Sequence, residues 1–208
     1  RIVMKHVIDP SDVLRDPGPR AMFLDTVIDA NGTASAVVDY ALQDARVESD
    51  VLFTDQVHGI QKSYSVEQNG ITVRYRFTAE GSGTLGSGSF AVGSNVAMPS
   101  ADGYAGRYIL ADGTIPCGFG QRLELAAVER LLLDDGELGG SLAIDLDPPA
   151  RLVAGPHFAV SRSEAGFEKI MQAATLRFEW SYPAPASALS IHMQVVAHVD
   201  QHNLRPTR

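Results

Sequence analysis

The sequence predicts an all-β fold, a large antiparallel β-sandwich, and three observations carry that reading. Residues 60–67 and 71–77 flank Gln68-Asn69-Gly70, and Asn-Gly is the preferred pair of a tight type I′ hairpin because both residues tolerate positive φ. Near the C-terminus Leu189, Ile191, Met193 and Val195 alternate with Ser190, His192 and Gln194, the period-2 pattern of a half-buried strand. Between these, about ten or more short apolar runs are separated by short turn-forming clusters, with no internal repeat and no linker.

Taken in order, residues 1–19 read as an extended arm, since Asp16-Pro17-Gly18-Pro19 ends any helical turn begun at Asp9-Pro10-Ser11-Asp12. Residues 20–25 fit a short helix or a strand. From Ser35 the pattern becomes β, with strands expected at 36–42, 45–48 and 51–54. The hairpin follows, and in its second arm Ile71, Val73, Tyr75 and Phe77 alternate with Thr72, Arg74 and Arg76. Residues 81–89, all Gly, Ser, Thr or Leu, lack a Lys-Ser/Thr and a following helix, so a loop is favoured over a phosphate cradle. Strands are expected again at 90–97 and 107–110, with a turn at Ala111-Asp112-Gly113. Residues 121–133 have helix propensity but fit neither period cleanly; with 141–147 they are read as a strand pair. Strands at 151–154, 175–180 and 189–197 complete the set, with Pro183-Ala184-Pro185-Ala186 as a break. The expected organisation is an arm over 1–19, a single sandwich domain over 20–199 and a polar tail over 200–208.

Composition narrows the function classes. The chain has 208 residues, 45% hydrophobic and 20% charged, enough to bury roughly 70% of the unfolded surface without disulfides. A net charge of −8 and scattered basic residues disfavour nucleic acid, whose binding rests on neutralising phosphates. Cys117 is the sole cysteine, which rules out an intrachain disulfide and a cysteine metal cage. No apolar run approaches the roughly 20 residues of a membrane helix, so no membrane partner and a cytoplasmic location are expected. The first residue is Arg1, from which a piece of a longer polypeptide is expected.

The stretch Val160-Ser161-Arg162-Ser163-Glu164-Ala165-Gly166-Phe167-Glu168-Lys169-Ile170-Met171-Gln172 concentrates charge between strand-like flanks. Glu164 and Glu168 are a conceivable carboxylate pair for glycoside hydrolysis. Arg162 and Lys169 stand beside them, however, and ion pairing lowers carboxylate pKa values and spoils a general acid. Structural pairing is the favoured reading, with Gly166 supplying the bend. His198, Asp200 and His202, with His192, have a spacing a metal could use, but solvated side chains near a terminus are the plainer account; no metal and no cofactor are expected. No Gly-x-Ser-x-Gly stands in the context of a nucleophile elbow, and Cys117 reads as a small buried hydrophobe. For sugar binding, Trp180, Tyr182, Phe167, Tyr104 and Tyr108 offer ring faces and Arg162, Glu164, Gln172 and Asn95 offer polar groups, though most aromatics in a sandwich are core.

The same stretch resembles the Val-Ser-Gln-Ser-Glu-Gly-Gly-Phe-Glu-Arg signature, followed by Tyr-Gln, near the end of glycoside hydrolase family 57 enzymes, the 4-α-glucanotransferases and α-amylase-like proteins. Residues 20–25, 66–77 and 103–108 are similar to that family's segments in the same order. Arg162 replaces the usual Gln, Ala165 the first Gly, Met171 the Tyr, and Thr26 stands in place of a His. The resemblance implies a β-supersandwich of the galactose-mutarotase-like kind. The family's catalytic barrel, with its carboxylates and His-Gln-Pro motif, has no counterpart in these residues, so no catalytic residue is carried over.

The resemblance therefore implies a non-catalytic C-terminal accessory domain that supports an α-glucan-active catalytic module. The expected partners are a catalytic barrel of the same or a partner polypeptide and α-glucan or an oligosaccharide. Carbohydrate-binding or interface candidates are Arg162, Glu164, Phe167, Glu168, Gln172 and Trp180. The rivals are a free-standing carbohydrate-binding module, which needs exposed aromatics, and an aldose-epimerase-like enzyme on the same fold, for which His157 and Glu164 are the nominated pair.

Overall fold

The computed structural model of this chain describes residues 4–5, 20–47, 50–78, 88–98, 100, 105–163, 166–182 and 188–198. Among them are thirteen strands and no helix, and every strand pair is antiparallel. In chain order they are β1 (Met4–Lys5), β2 (Leu24–Ile28), β3 (Ala34–Ala36), β4 (Ala41–Val47), β5 (Asp50–Asp55), β6 (Ile60–Val66) and β7 (Gly70–Phe77). They continue with β8 (Gly88–Val96), β9 (Gly106–Leu110), β10 (Leu123–Asp135), β11 (Gly140–Ser163), β12 (Gly166–Tyr182) and β13 (Ala188–Ala197).

One hydrogen-bonded sheet, ordered β3-β2-β8-β12-β11-β13-β7-β6-β5-β4, folds over to make both layers. The fold-over lies along β10 and β11. Residues 140–145 of β11 lie between β10 and β13, whereas residues 152–154 lie between β10 and β12. Between those halves come Pro148 and Pro149, which have no N–H for the ladder, and β10 answers with register shifts on both sides of Val128. A strand that changes partners through bulges is how a sheet turns a corner. The core lies between the layers. Phe90 on β8 meets Tyr75 and Phe77 on β7 edge-on, at centroid distances of 5.1 and 5.2 Å. Leu131, Leu133, Ile144, Leu152, Leu176, Phe178 and Ile191 are fully buried.

The expected all-β antiparallel fold is what forms, and the helix-prone 121–133 region is indeed a strand. Tertiary pairing with β9 and β11 overrides its propensity. Several local expectations are corrected. Residues 37–40 are not strand: the Val37 N–H donates to the Asp25 carbonyl, but the pairing of β2 with β3 ends at Ala36. The β6–β7 hairpin forms, yet its two loop residues are Gln68 and Asn69, neither with positive φ, so the turn is not type I′. Gly70 is needed for another reason. A Cβ there would sit 2.6 Å from the Met193 carbonyl on the neighbouring strand.

The strands are not all short, either. The polar stretch expected to separate two strands lies within the facing arms of β11 and β12, strands of 24 and 17 residues. Met4–Lys5, placed in the extended arm, pairs with β12. Of the loop expected over 81–89, residues 88–89 instead begin β8, while 81–87, the break at 183–186 and the tail at 200–208 lie outside the described residues.

Candidate functional site

Two places gather unusual chemistry: the free end of the β11–β12 hairpin and a polar clamp between the layers. Up to residue 154, β11 has neighbours on both sides. Beyond that, among the described residues, it pairs only with β12, whose own outer part is flanked only by β1 at Glu168 and Lys169. The last six residue pairs, from Phe158–Met171 to Ser163–Gly166, carry the hairpin roughly 20 Å beyond His157 at strand rise.

A bulge marks the base of this extension. His157 pairs with Ala173 and Phe158 with Met171, so Gln172 is the unmatched residue, and it is exposed. Bulges bend a strand and re-aim side chains. Further out Arg162 pairs with Phe167 and Ser161 with Glu168, which places the first two opposite one another near the tip. Glu164, and with it the nominated His157–Glu164 pair, lies outside the described residues. Glu168 is half-buried and pairs in register with Lys5 of β1. The Lys169 ammonium stands 5.0 Å from the Phe158 ring centroid, a cation–π contact across the hairpin. Trp180 is far along β12, buried at 4% exposure, and its Nε1–H donates to the Pro148 carbonyl at 2.9 Å. Its ring belongs to the core.

The clamp was not anticipated. Lys62 on β6 and Asp25 on β2 both occupy inward-facing strand positions, at 4% exposure each. The Lys62 Nζ donates to Asp25 Oδ2 at 2.6 Å and to the Phe23 carbonyl at 2.8 Å. Tyr75 and Tyr40 donate their hydroxyls to the two oxygens of the same carboxylate, at 2.7 and 2.8 Å. Ring centroids of Tyr40, Tyr64 and Tyr75 lie 5.2 to 5.4 Å from the ammonium. Phe23, the one described non-glycine with positive φ (58°), aims its carbonyl at Lys62, a backbone strain sustained by that bond. Burial pushes the Asp25 carboxyl above its usual range, against the opposing pull of Lys62 and the two tyrosines. Burial also raises the Tyr40 and Tyr75 hydroxyls, so both remain donors. With its partners satisfied, the cluster joins the layers. The available signal in sequence was phase: Asp25 and Lys62 stand where Phe23, Val27, Ile60 and Tyr64 set an apolar face.

The described histidines lie apart from one another, each with its own partner. His192 Nδ1 contacts Thr72 Oγ1 at 2.8 Å, while His198 Nε2 lies 2.7 Å from Asp134 Oδ1. Asp200 and His202 are outside the described residues, among which no cluster of three or more metal-binding side chains occurs. Ser141 also bonds Asp134, at 2.7 Å, and approaches the same His198 nitrogen at 3.3 Å. A nucleophilic triad needs serine and carboxylate on opposite ring nitrogens, so this is no triad. Burial pushes the Asp134 carboxyl up, but bonds from Ser141, His198 and Arg107 outweigh it and hold it below the usual value. At Asp55, the carboxylate accepts from the backbone of Val57 and His58 and pairs with His58 Nδ1 at 2.8 Å, closing the β5–β6 turn. Cys117 is half-buried and burial pushes its thiol up, which does not favour a nucleophile.

At the sheet corner a groove of about 320 Å³ opens beside Val128 and Pro149, with Leu110 and Leu125 in its wall. Leu110 pairs with buried Leu131 and Leu125 with buried Leu152, so both groove leucines stand on core-facing rows where the layers diverge.

Comparison with known proteins converges on one family. The family model described as alpha-amylase/4-alpha-glucanotransferase, C-terminal, matches residues 1–193. The crystal structure of 4-alpha-glucanotransferase from Thermococcus litoralis superposes with a TM-score of 0.62 at 15% sequence identity, covering 90% of this chain and 30% of that one. The chain thus spans under a third of the length of that protein, and the likeness establishes the fold. No curated protein sequence matches the chain.

Proposed function

This chain belongs to the C-terminal domain family of alpha-amylase/4-alpha-glucanotransferase proteins, and from that premise we propose that it is the non-catalytic domain of an α-glucan-active enzyme. In this reading the domain holds the β11–β12 hairpin out toward a catalytic module and toward glucan. The observation that carries it is the hairpin itself, which extends past its flanking strands with Arg162 opposite Phe167 and an exposed Gln172 at its bulge. A two-stranded projection on a packed scaffold suits the positioning of a few side chains against another surface. Arg162, Glu164, Phe167, Glu168 and Gln172 are the residues nominated to make that contact; buried Trp180 would serve by packing the core of the scaffold. The comparisons lend no support to a free-standing carbohydrate-binding module or to an epimerase.

The test is made in the full polypeptide from which this domain comes. Replacing residues 160–169 by Asn-Gly, which rejoins the Ala159–Ile170 pair, should lower kcat/KM for glucan transfer or hydrolysis at least tenfold with little change in melting temperature. Unchanged kcat/KM would refute the role of the hairpin.

A further inference from the structure

We infer that the corner groove is the seat of an apolar side chain, flanked by basic residues, supplied by the catalytic part of the same polypeptide. This inference rests on the accessory-domain reading and assigns it a surface. Four features support a polypeptide occupant. First, the groove is walled by core residues: Leu110 and Leu125 pack against the interlayer core yet remain partly exposed, and Val128 is 5% exposed beneath them. An aliphatic side chain entering here continues the core, as an interface anchor does. Second, none of the groove residues is aromatic, so a sugar ring finds no stacking face.

Third, the rim is acidic. Asp112 and Glu129 are exposed and neither pairs with a cation among the described residues, while Arg130 at the same rim is already bound to Asp145 at 2.8 Å. Such a rim selects Lys or Arg beside the apolar anchor. Fourth, a large body is available. The matched region is 30% of the Thermococcus litoralis protein, which leaves most of that chain outside the likeness. Groove and hairpin also share β11: Leu125 pairs with Leu152, six residues or about 20 Å along β11 from Phe158 at the hairpin base. One module can therefore occupy the groove and meet the hairpin.

Thiol reactivity in the full-length polypeptide tests the assignment. Ala127→Cys places a thiol at an exposed groove position, and Val66→Cys places one at a 73% exposed position on the other layer; reaction at Cys117 is subtracted using the unsubstituted chain. In the native protein Ala127→Cys should react with a bulky maleimide at least tenfold more slowly than Val66→Cys, and the two should match in denaturant. Similar native rates, in a protein whose activity still depends on the hairpin, would overturn the groove assignment alone. Protection that appears only on adding maltoheptaose would make the occupant a sugar and overturn it too. A full reading frame that encodes no further module would overturn the accessory reading and the inference together.

Discussion

The interlayer clamp and the hairpin extension are both rich in charge, and their environments give those charges opposite roles. In the clamp, Asp25 and Lys62 are buried at 4% exposure and gather two tyrosine hydroxyls and a backbone carbonyl around one ion pair. Such a pair is costly to break because the survivor is stranded without water. In the hairpin, Glu168, Lys169 and Gln172 lie on the β12 arm of a projection beyond the packed body, where single charge changes cost little. Density of charge along a sequence is therefore a poor guide to where charge matters for folding. Strand phase is a better one.

The largest expected effect lies in the clamp. Lys62→Ala should destabilise the domain by about 3–5 kcal/mol by leaving the Asp25 carboxylate buried and unpaired. Converting both partners to apolar residues, Asp25→Leu with Lys62→Met, should recover a large part of that loss, since no charge then remains inside. Denaturant melts of the single and double variants check it; a Lys62→Ala loss below about 1 kcal/mol would place the clamp on a par with surface pairs.

Close packing in the body gives the next effect. Gly70→Ala should cost about 1–3 kcal/mol, because its Cβ would meet the Met193 carbonyl at 2.6 Å. Asn69→Ala should stay within about 0.5 kcal/mol, as Asn69 has no positive φ to support. A larger cost at Asn69 than at Gly70 would restore the type I′ turn that the Asn-Gly pair predicts.

A smaller, pH-dependent effect is expected at Asp134, whose carboxyl is held below its usual value near 3.8. As pH falls the unfolded chain takes up the proton first, so the stabilisation is fully present above about pH 5 and is lost on passing down through the lowered folded-state value. Wild type should thus exceed Asp134→Asn by about 1–2 kcal/mol near neutrality, with the difference closing below about pH 4. Urea melts across pH 3–7 measure it, and a gap that widens toward acid would invert the assignment.

Much of the fold is legible in the sequence because alternation is a local property. The runs around Tyr75 and Ile191 announce strands, and both residues are fully buried where the pattern places them. What stays hidden is non-local. Whether residues 121–133 become helix or strand depends on partners 9 to 31 residues away, and the fold-over at Pro148–Pro149 shows only once both neighbours of β11 are known. The clamp joins positions 37 residues apart. The Asn-Gly signal marks a true hairpin for a different physical reason, namely the close approach of β13. At the hairpin tip the signature residues identify the family, and the structure sets Arg162 opposite Phe167. Trp180, attractive as a sugar platform in sequence, is drawn inside by the Pro148 carbonyl.

The central claim is that the clamp holds the domain together while the hairpin serves contacts beyond it. Thermal unfolding of the chain with residues 160–169 replaced by Asn-Gly tests this most directly. The excised segment includes the Lys169–Phe158 contact, worth about 0.5–1 kcal/mol, so the melting temperature should fall by no more than about 4 °C, far less than for Lys62→Ala. A fall as large as that of Lys62→Ala would show the hairpin to be part of the folding core and contradict the account.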